Sequence, residues 1–273
     1  MPAPKSSSVA SFVPSSPIRV LVLAHGYPWP DDSRSDDELA EYARAAVRRW
    51  QPFASAHRAI VIAPAFGGSE FAGYREMRGQ QINPDELVNA LADEAGERMP
   101  GFSGTFSLHG HSAGAQFAAR YLVAHPERLD VVVLSAPSTY PLPDPAIPWP
   151  NGMGASVSTD LGAPSEPGGA SRATASLLAP SPAGWLAATS DVAVTVLVGS
   201  LDTQRRPRVP GQLGSTRIER AVAWVDSMRR HAEASGRNPT IELVLAPGLA
   251  HDEEALTGPA QEILADRWSR SQA

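Results

Sequence analysis

TFSLHGHSAGAQFAARYL, residues 105–122, opens as a strand and closes as a helix. The change falls on Gly110-His111-Ser112-Ala113-Gly114, which sets a serine between two glycines at a strand-to-helix corner. Glycines there remove Cβ clashes and allow a sharp turn that pushes the serine Oγ out over the sheet. The start of the following helix favours negative charge at the same place. A Gly-x-Ser-x-Gly match alone is weak, and a plain serine N-cap after a strand is the simpler alternative. What strengthens it is its setting and its partners elsewhere in the chain.

The setting is an alternation of short apolar runs with helical patterns. The runs IRVLVLA (18–24), AIVIAPA (59–65), TFSLHG (105–110), DVVVLSA (130–136), VAVTVLVG (192–199) and TIELVLA (240–246) read as strands. They are brief and mostly β-branched, and their near-continuous apolarity suits strands covered on both faces of a mostly parallel sheet. Ser35 and Glu38 form a capping box ahead of a stripe of Leu39, Ala43, Val47 and Trp50. Asn83-Pro84 starts a second helix, carrying Leu87, Leu91 and Ala95. Thr216 starts another, with Ile218, Val222, Val225 and Met228 on one face and Gly236 past its end. Residues 259–268 (PAQEILADRW) read as a closing helix. The pattern predicts an α/β fold with a doubly wound, mostly parallel sheet and right-handed crossovers.

Composition narrows the function. A chain of 273 residues with 42% hydrophobic content has enough apolar material for one large α/β domain. The net charge of -6 gives no basic footprint for nucleic acid. With 0 cysteines, disulfides, thiolate metal sites and a cysteine nucleophile are excluded. Residues 1–16 are expected to be a flexible Ser/Pro tail, and 17–273 a single domain. No apolar run follows Lys5 as in a secretory signal, so the expected location is cytoplasmic, with secretion the alternative if a leader was removed. No stretch approaches a membrane span. The oligomeric state is not readable. Residues 137–184 are dense in Pro, Gly and Ser, and 137–190 is expected to form a cap-like insertion. A second irregular stretch covers 203–215.

A serine nucleophile needs a base. Of the 7 histidines, His57 precedes a strand, His125 ends a helix, and His231 lies late in one. His109 and His111 are badly placed to reach back to Ser112. His25, after the run at 18–24, has a packing and hydrogen-bonding role. That leaves His251, in the loop after the last strand, and strand C-termini are where open α/β sheets build sites. The orienting carboxylate is Asp202, directly after VAVTVLVGSL (192–201), at a strand's C-terminal end. Asp144 lies too far past its strand, and Asp252 adjoins the histidine, so each fits less well. The order Ser112…Asp202…His251 is that of α/β-hydrolases. An oxyanion formed at the serine would take backbone N–H donors from Ala113 and from Tyr27, in HGYP after the first strand.

These residues resemble the α/β-hydrolase superfamily over about residues 18–268, through HGYP, GHSAG, VGSLD and PGLAHD. HGYP is similar to the oxyanion segment of many esterases, peroxidase-like hydrolases and dehalogenases. The aspartate nucleophile of dehalogenases is excluded by Ser112. Within the superfamily, VIAPAFGG, GHSAGAQFAARYLVAHPERL, SAPSTYPLPDPAIPWPNGMG and STRIERAVAWVDSM resemble bacterial esterases related to polyhydroxyalkanoate depolymerases.

The expected activity is hydrolysis of carboxylic esters, small or polymeric, through an acyl-enzyme, with no cofactor and no metal. A depolymerase of a polyester or polyamide and a peptidase or amidase are the alternatives on the same triad. A non-catalytic binding protein with a relic hydrolase fold is the alternative of another class. Trp29, Tyr140, Trp149 and Met153 are candidates to line the substrate cleft, although such aromatics equally suit packing of the insertion. Arg205, Arg206 and Arg208 form a basic loop that is either solvated or turned toward an acidic substrate.

Overall fold

Seven strands lie side by side in the order β1-β3-β2-β4-β5-β6-β7. The computed structural model describes residues 9–15, 18–27, 35–155 and 179–270. The strands are β1 (Val9–Phe12), β2 (Arg19–Ala24), β3 (Ala59–Pro64), β4 (Phe106–His111), β5 (Leu129–Ser135), β6 (Ala193–Gly199) and β7 (Ile241–Ala246). Six run parallel, and β1 pairs antiparallel with β3, Val9 opposite Pro64. The six apolar runs therefore become the parallel sheet, each end within a residue or so of its expected place.

The helices are α1 (Asp36–Ala56), α2 (Pro84–Gly96), α3 (Ala113–Ala124), α4 (Pro182–Ser190), α5 (Arg217–Ala234) and α6 (Glu253–Arg270). One face of the sheet is covered by α1 and α6, through Leu39, Val47, Trp50, Leu256, Leu264 and Trp268. The opposite face packs Val88, Phe117, Tyr121, Trp185, Trp224 and Met228. Burial of each large apolar side chain stabilises by about 1.5–3 kcal/mol, and strands covered on both faces need the unbroken apolar sequence observed. Helix α3 is buried from Ala113 to Val123 because alanines bring it close to the sheet.

The helix starts follow their caps. Ser35 accepts the Glu38 N–H at 3.3 Å, while Glu38 takes the Ser35 N–H at 2.9 Å. Thr216 and Glu219 form the same reciprocal pair.

Three expectations need correction. Val9–Phe12 belongs to the sheet and not to a loose tail, because an edge strand needs a partner on one side only. Helix α6 starts at Glu253 and runs through Pro259, because Asp252 Oδ1 accepts the Ala255 N–H at 2.8 Å and caps it early. The stretch read as insertion contains α4, started by Ser181, whose Oγ accepts the Gly184 N–H at 3.1 Å. Among the described residues no helix is long and apolar enough to cross a membrane.

Candidate active site

Ser112 lies between β4 and α3 in a backbone conformation that L-residues rarely adopt, φ 50° and ψ −106°. Its N–H donates to the Ser135 carbonyl at 2.8 Å and its carbonyl accepts from Gln116 N–H at 3.1 Å, which pins the corner on both sides. The glycines serve close approach. A Cβ on Gly110 would stand 2.4 Å from the Gly114 carbonyl oxygen, and one on Gly114 would stand 1.9 Å from that of Ala24. The elbow is thereby pressed against the end of β2.

The loops after β6 and β7 are bonded together. Ser200 N–H donates to Ala246 C=O at 2.9 Å, Leu201 N–H to Leu249 C=O at 2.8 Å, and Gly248 N–H to Ser200 Oγ at 2.9 Å. A Cβ on Gly199 would meet the Leu249 carbonyl oxygen at 2.3 Å. This contact sets Asp202 against His251. The imidazole Nδ1 lies 3.0 Å from Asp202 Oδ2, and Nε2 lies 3.1 Å from Ser112 Oγ. An ionised carboxylate only accepts, so Nδ1 carries the proton and Nε2 accepts the serine hydroxyl.

Asp202 is 2% exposed. Burial alone would raise its pKa, but the hydrogen bond from His251 and the Arg217 guanidinium outweigh burial and hold the carboxyl below its ordinary value. Arg217, at the start of α5, donates from Nη1 to Asp202 Oδ1 at 2.8 Å. No motif in the sequence singles out Arg217. Its one signal is a cation directly after an N-cap, where the helix dipole disfavours positive charge.

His111 is buried beside this group, its ring centroid 5.0 Å from that of His251. Burial first, and then the charges of His251 and His109, push its pKa well below the ordinary value, so it stays neutral. Its Nδ1 has no hydrogen-bond partner among the described residues.

On the far side of Ser112, the loop after β2 is held by its own histidine. Phe66 N–H donates to His25 Nε2 at 2.9 Å, which leaves the proton on Nδ1 to donate to Gly26 C=O at 2.6 Å. The Tyr74 hydroxyl donates to His25 C=O at 2.9 Å. The Tyr27 ring stacks on Tyr74 at 6.2 Å, under the Arg75 guanidinium at 5.5 Å. Ala113 is the first residue of α3, where N–H groups lack intrahelical partners.

No family model matches the chain, and no curated protein matches its sequence. Solved structures do match. A poly(aspartic acid) hydrolase-1 from Sphingomonas sp. KT-1 is 21% identical with a TM-score of 0.70, over 93% of this chain and 91% of that one. LpqC, a poly(3-hydroxybutyrate) depolymerase from Bordetella parapertussis, is 20% identical with a TM-score of 0.69, over 94% and 83%. FphF, a fluorophosphonate-binding serine hydrolase from Staphylococcus aureus, is 14% identical with a TM-score of 0.54, over 95% and 91%. The chain has the α/β-hydrolase fold.

Within the α/β-hydrolase fold, the remaining candidates separate by burial. Asp144 is exposed and accepts the Ala146 N–H at 2.8 Å, and Asp252 caps α6, so neither competes with Asp202. Tyr140 and Trp149, candidates either to line a substrate cleft or to pack the insertion, are core residues. Tyr140 is 0% exposed and stacks on Trp224 at 4.8 Å, and Trp149 is 3% exposed. Both belong to the apolar core on that face of the sheet, which is the packing role such aromatics equally suit. Met153 is partly buried against the same core. Trp29 lies outside the described residues. The segment carrying Trp149 is anchored by Arg120, 1% exposed, which donates to Pro150 C=O at 3.0 Å, Gln116 C=O at 3.0 Å and Asn151 Oδ1 at 2.9 Å. Among the described residues no cluster of His, Cys, Asp or Glu is placed to hold a metal ion.

Proposed function

We propose that the chain is a serine hydrolase that cleaves carboxylic esters through an acyl-enzyme. The observation that carries this reading is one imidazole within hydrogen-bond reach of both the Ser112 hydroxyl and the Asp202 carboxylate, with the serine on a strained corner. Ser112 Oγ attacks the ester carbonyl while His251 Nε2 takes its proton. Asp202 keeps Nδ1 protonated and stabilises the imidazolium. The N–H groups of Ala113 and Tyr27 receive the oxyanion, a contribution typically worth about 3 kcal/mol per donor. His251 then protonates the leaving alcohol. A water deprotonated by His251 releases the acid and restores the serine.

The test is labelling by a fluorophosphonate together with turnover of a short p-nitrophenyl ester. Wild type is expected to show both and Ser112→Ala neither, with the variant's circular dichroism unchanged. A folded wild type that neither labels nor turns over points to a binding protein. A second reading, hydrolysis of a polyester or polyamide on the same triad, draws on the polymer-cleaving activities named for two of the similar structures. Parallel assays on an anilide and a polymer film separate the readings. Turnover of the anilide alone overturns the ester assignment, and release of soluble products from the film supports the polymer one.

A further inference from the structure

The start of α5 is an unfavourable place for a cation. Thr216 caps the helix, and the next residue, Arg217, is 4% exposed. There the guanidinium faces the positive end of the helix dipole and loses its hydration, so it needs an anion. Burial pushes its pKa down, and the neighbouring Asp202 opposes that. Arg217 Nη1 donates to Asp202 Oδ1 at 2.8 Å, while Nε donates to Ser138 Oγ at 3.1 Å. The other carboxylate oxygen takes His251 Nδ1–H at 3.0 Å. Two donors therefore grip Asp202 from two sides and fix the plane of its carboxylate. One turn on, Arg220 braces the same ground, donating to Ser138 C=O at 2.7 Å and Pro207 C=O at 2.6 Å.

We propose that Arg217 is a positioning residue for this site, acting through Asp202. It aims the carboxylate at His251 Nδ1 and offsets part of its charge, so that Asp202 orients the imidazole without over-stabilising its charged form. The inference rests on the reading of Asp202 as the partner that orients His251. The groups facing this cluster are His111 from β4, with His109 behind it, Arg206 from the loop after β6, and Tyr140 from the segment after β5. Of these, Arg206 is the other cation, and its charge adds to that of Arg217.

The experiment compares wild type, Arg217→Gln, Arg217→Lys, Ser112→Ala and His251→Ala on p-nitrophenyl acetate from pH 5 to 9. Arg217→Gln is expected to lower kcat about tenfold at pH 8 with KM unchanged, and to move the acid limb of kcat/KM up by about one pH unit. Arg217→Lys keeps the charge but loses the planar fork, so its limb falls between the two and much of kcat returns. A wild-type limb in Arg217→Gln reduces the residue to a structural brace and overturns the proposal. If circular dichroism shows that Arg217→Gln does not fold, Arg217→Lys decides. A limb raised by a few tenths of a unit with reduced kcat supports the proposal, and a wild-type limb overturns it. Turnover surviving in Ser112→Ala or His251→Ala would sink the parent reading. Turnover lost in both, with the Arg217 limb unmoved, sinks this inference alone.

Discussion

Replacing Gly114 by alanine asks whether the elbow and the loop after β2 are held at a fixed separation. The added Cβ would sit 1.9 Å from the Ala24 carbonyl oxygen and 2.6 Å from that of His25, both backbone atoms that cannot rotate away. Real Cβ atoms essentially never come closer than 3.0 Å, so α3 and the end of β2 must part by about 1 Å. Such overpacking typically costs about 1–3 kcal/mol of stability. The same movement carries Tyr27 away from Ala113, and a misplacement of about 1 Å in a reacting constellation is worth about 100-fold in rate. Gly114→Ala should therefore show a 100-fold loss in kcat/KM on a p-nitrophenyl ester, about 1–3 kcal/mol lower stability by guanidinium denaturation, and retained α/β circular dichroism. Rates within twofold of wild type at undiminished stability would refute the steric reasoning.

Two further outcomes follow from strain and burial. Ser112→Gly removes a side chain from a residue at φ 50°, so the protein should gain about 1 kcal/mol while losing ester turnover; a lowered denaturation midpoint would contradict the strain. His109 is buried against Ser135 Oγ at 3.1 Å, and burial pushes it down to about 3. It stays neutral in the folded chain while the unfolded chain takes up a proton below about pH 6.5, so stability falls as pH drops from there toward 3. His109→Gln should make the stability-versus-pH slope between pH 6 and 4 shallower by about 1.4 kcal/mol per unit, and an unchanged slope would exclude His109 as its source.

Legibility in the sequence tracked how local the deciding interaction is. Strands β2 to β6 showed because both faces are buried, which forces unbroken apolar runs, and the edge strand β7, with Glu242 and Leu245 exposed, showed through its remaining aliphatic residues. Strand β1 did not, since VASF is four residues among serines and prolines and pairs on one side only. Helix α4 was hidden for a different reason. PAGWLAATS has no polar stripe and lies between α3 and α5, so no helical period stands out. The convergence of Ser112, Asp202 and His251 was legible because each lies within five residues of a strand's C-terminal end, and a parallel sheet gathers such ends on one edge. Arg217 was not, because its partner is 15 residues away and meets it only in three dimensions. Tyr140 and Trp149 were ambiguous for a related reason: an aromatic in a Pro-rich segment reads alike whether its ring points into the core or out of it.

Arg120 grips the segment after β5 through one main-chain oxygen, that of Pro150, and one side chain, Asn151 Oδ1, while its bond to the Gln116 carbonyl stays within α3. A carbonyl is supplied by any amino acid, so the anchor constrains one side chain of the segment, Asn151, and leaves its neighbours free to change. Mutational drift in residues 141–155 with Asn151 kept can then remodel that stretch while the attachment survives, which makes it a natural place to begin a directed-evolution library.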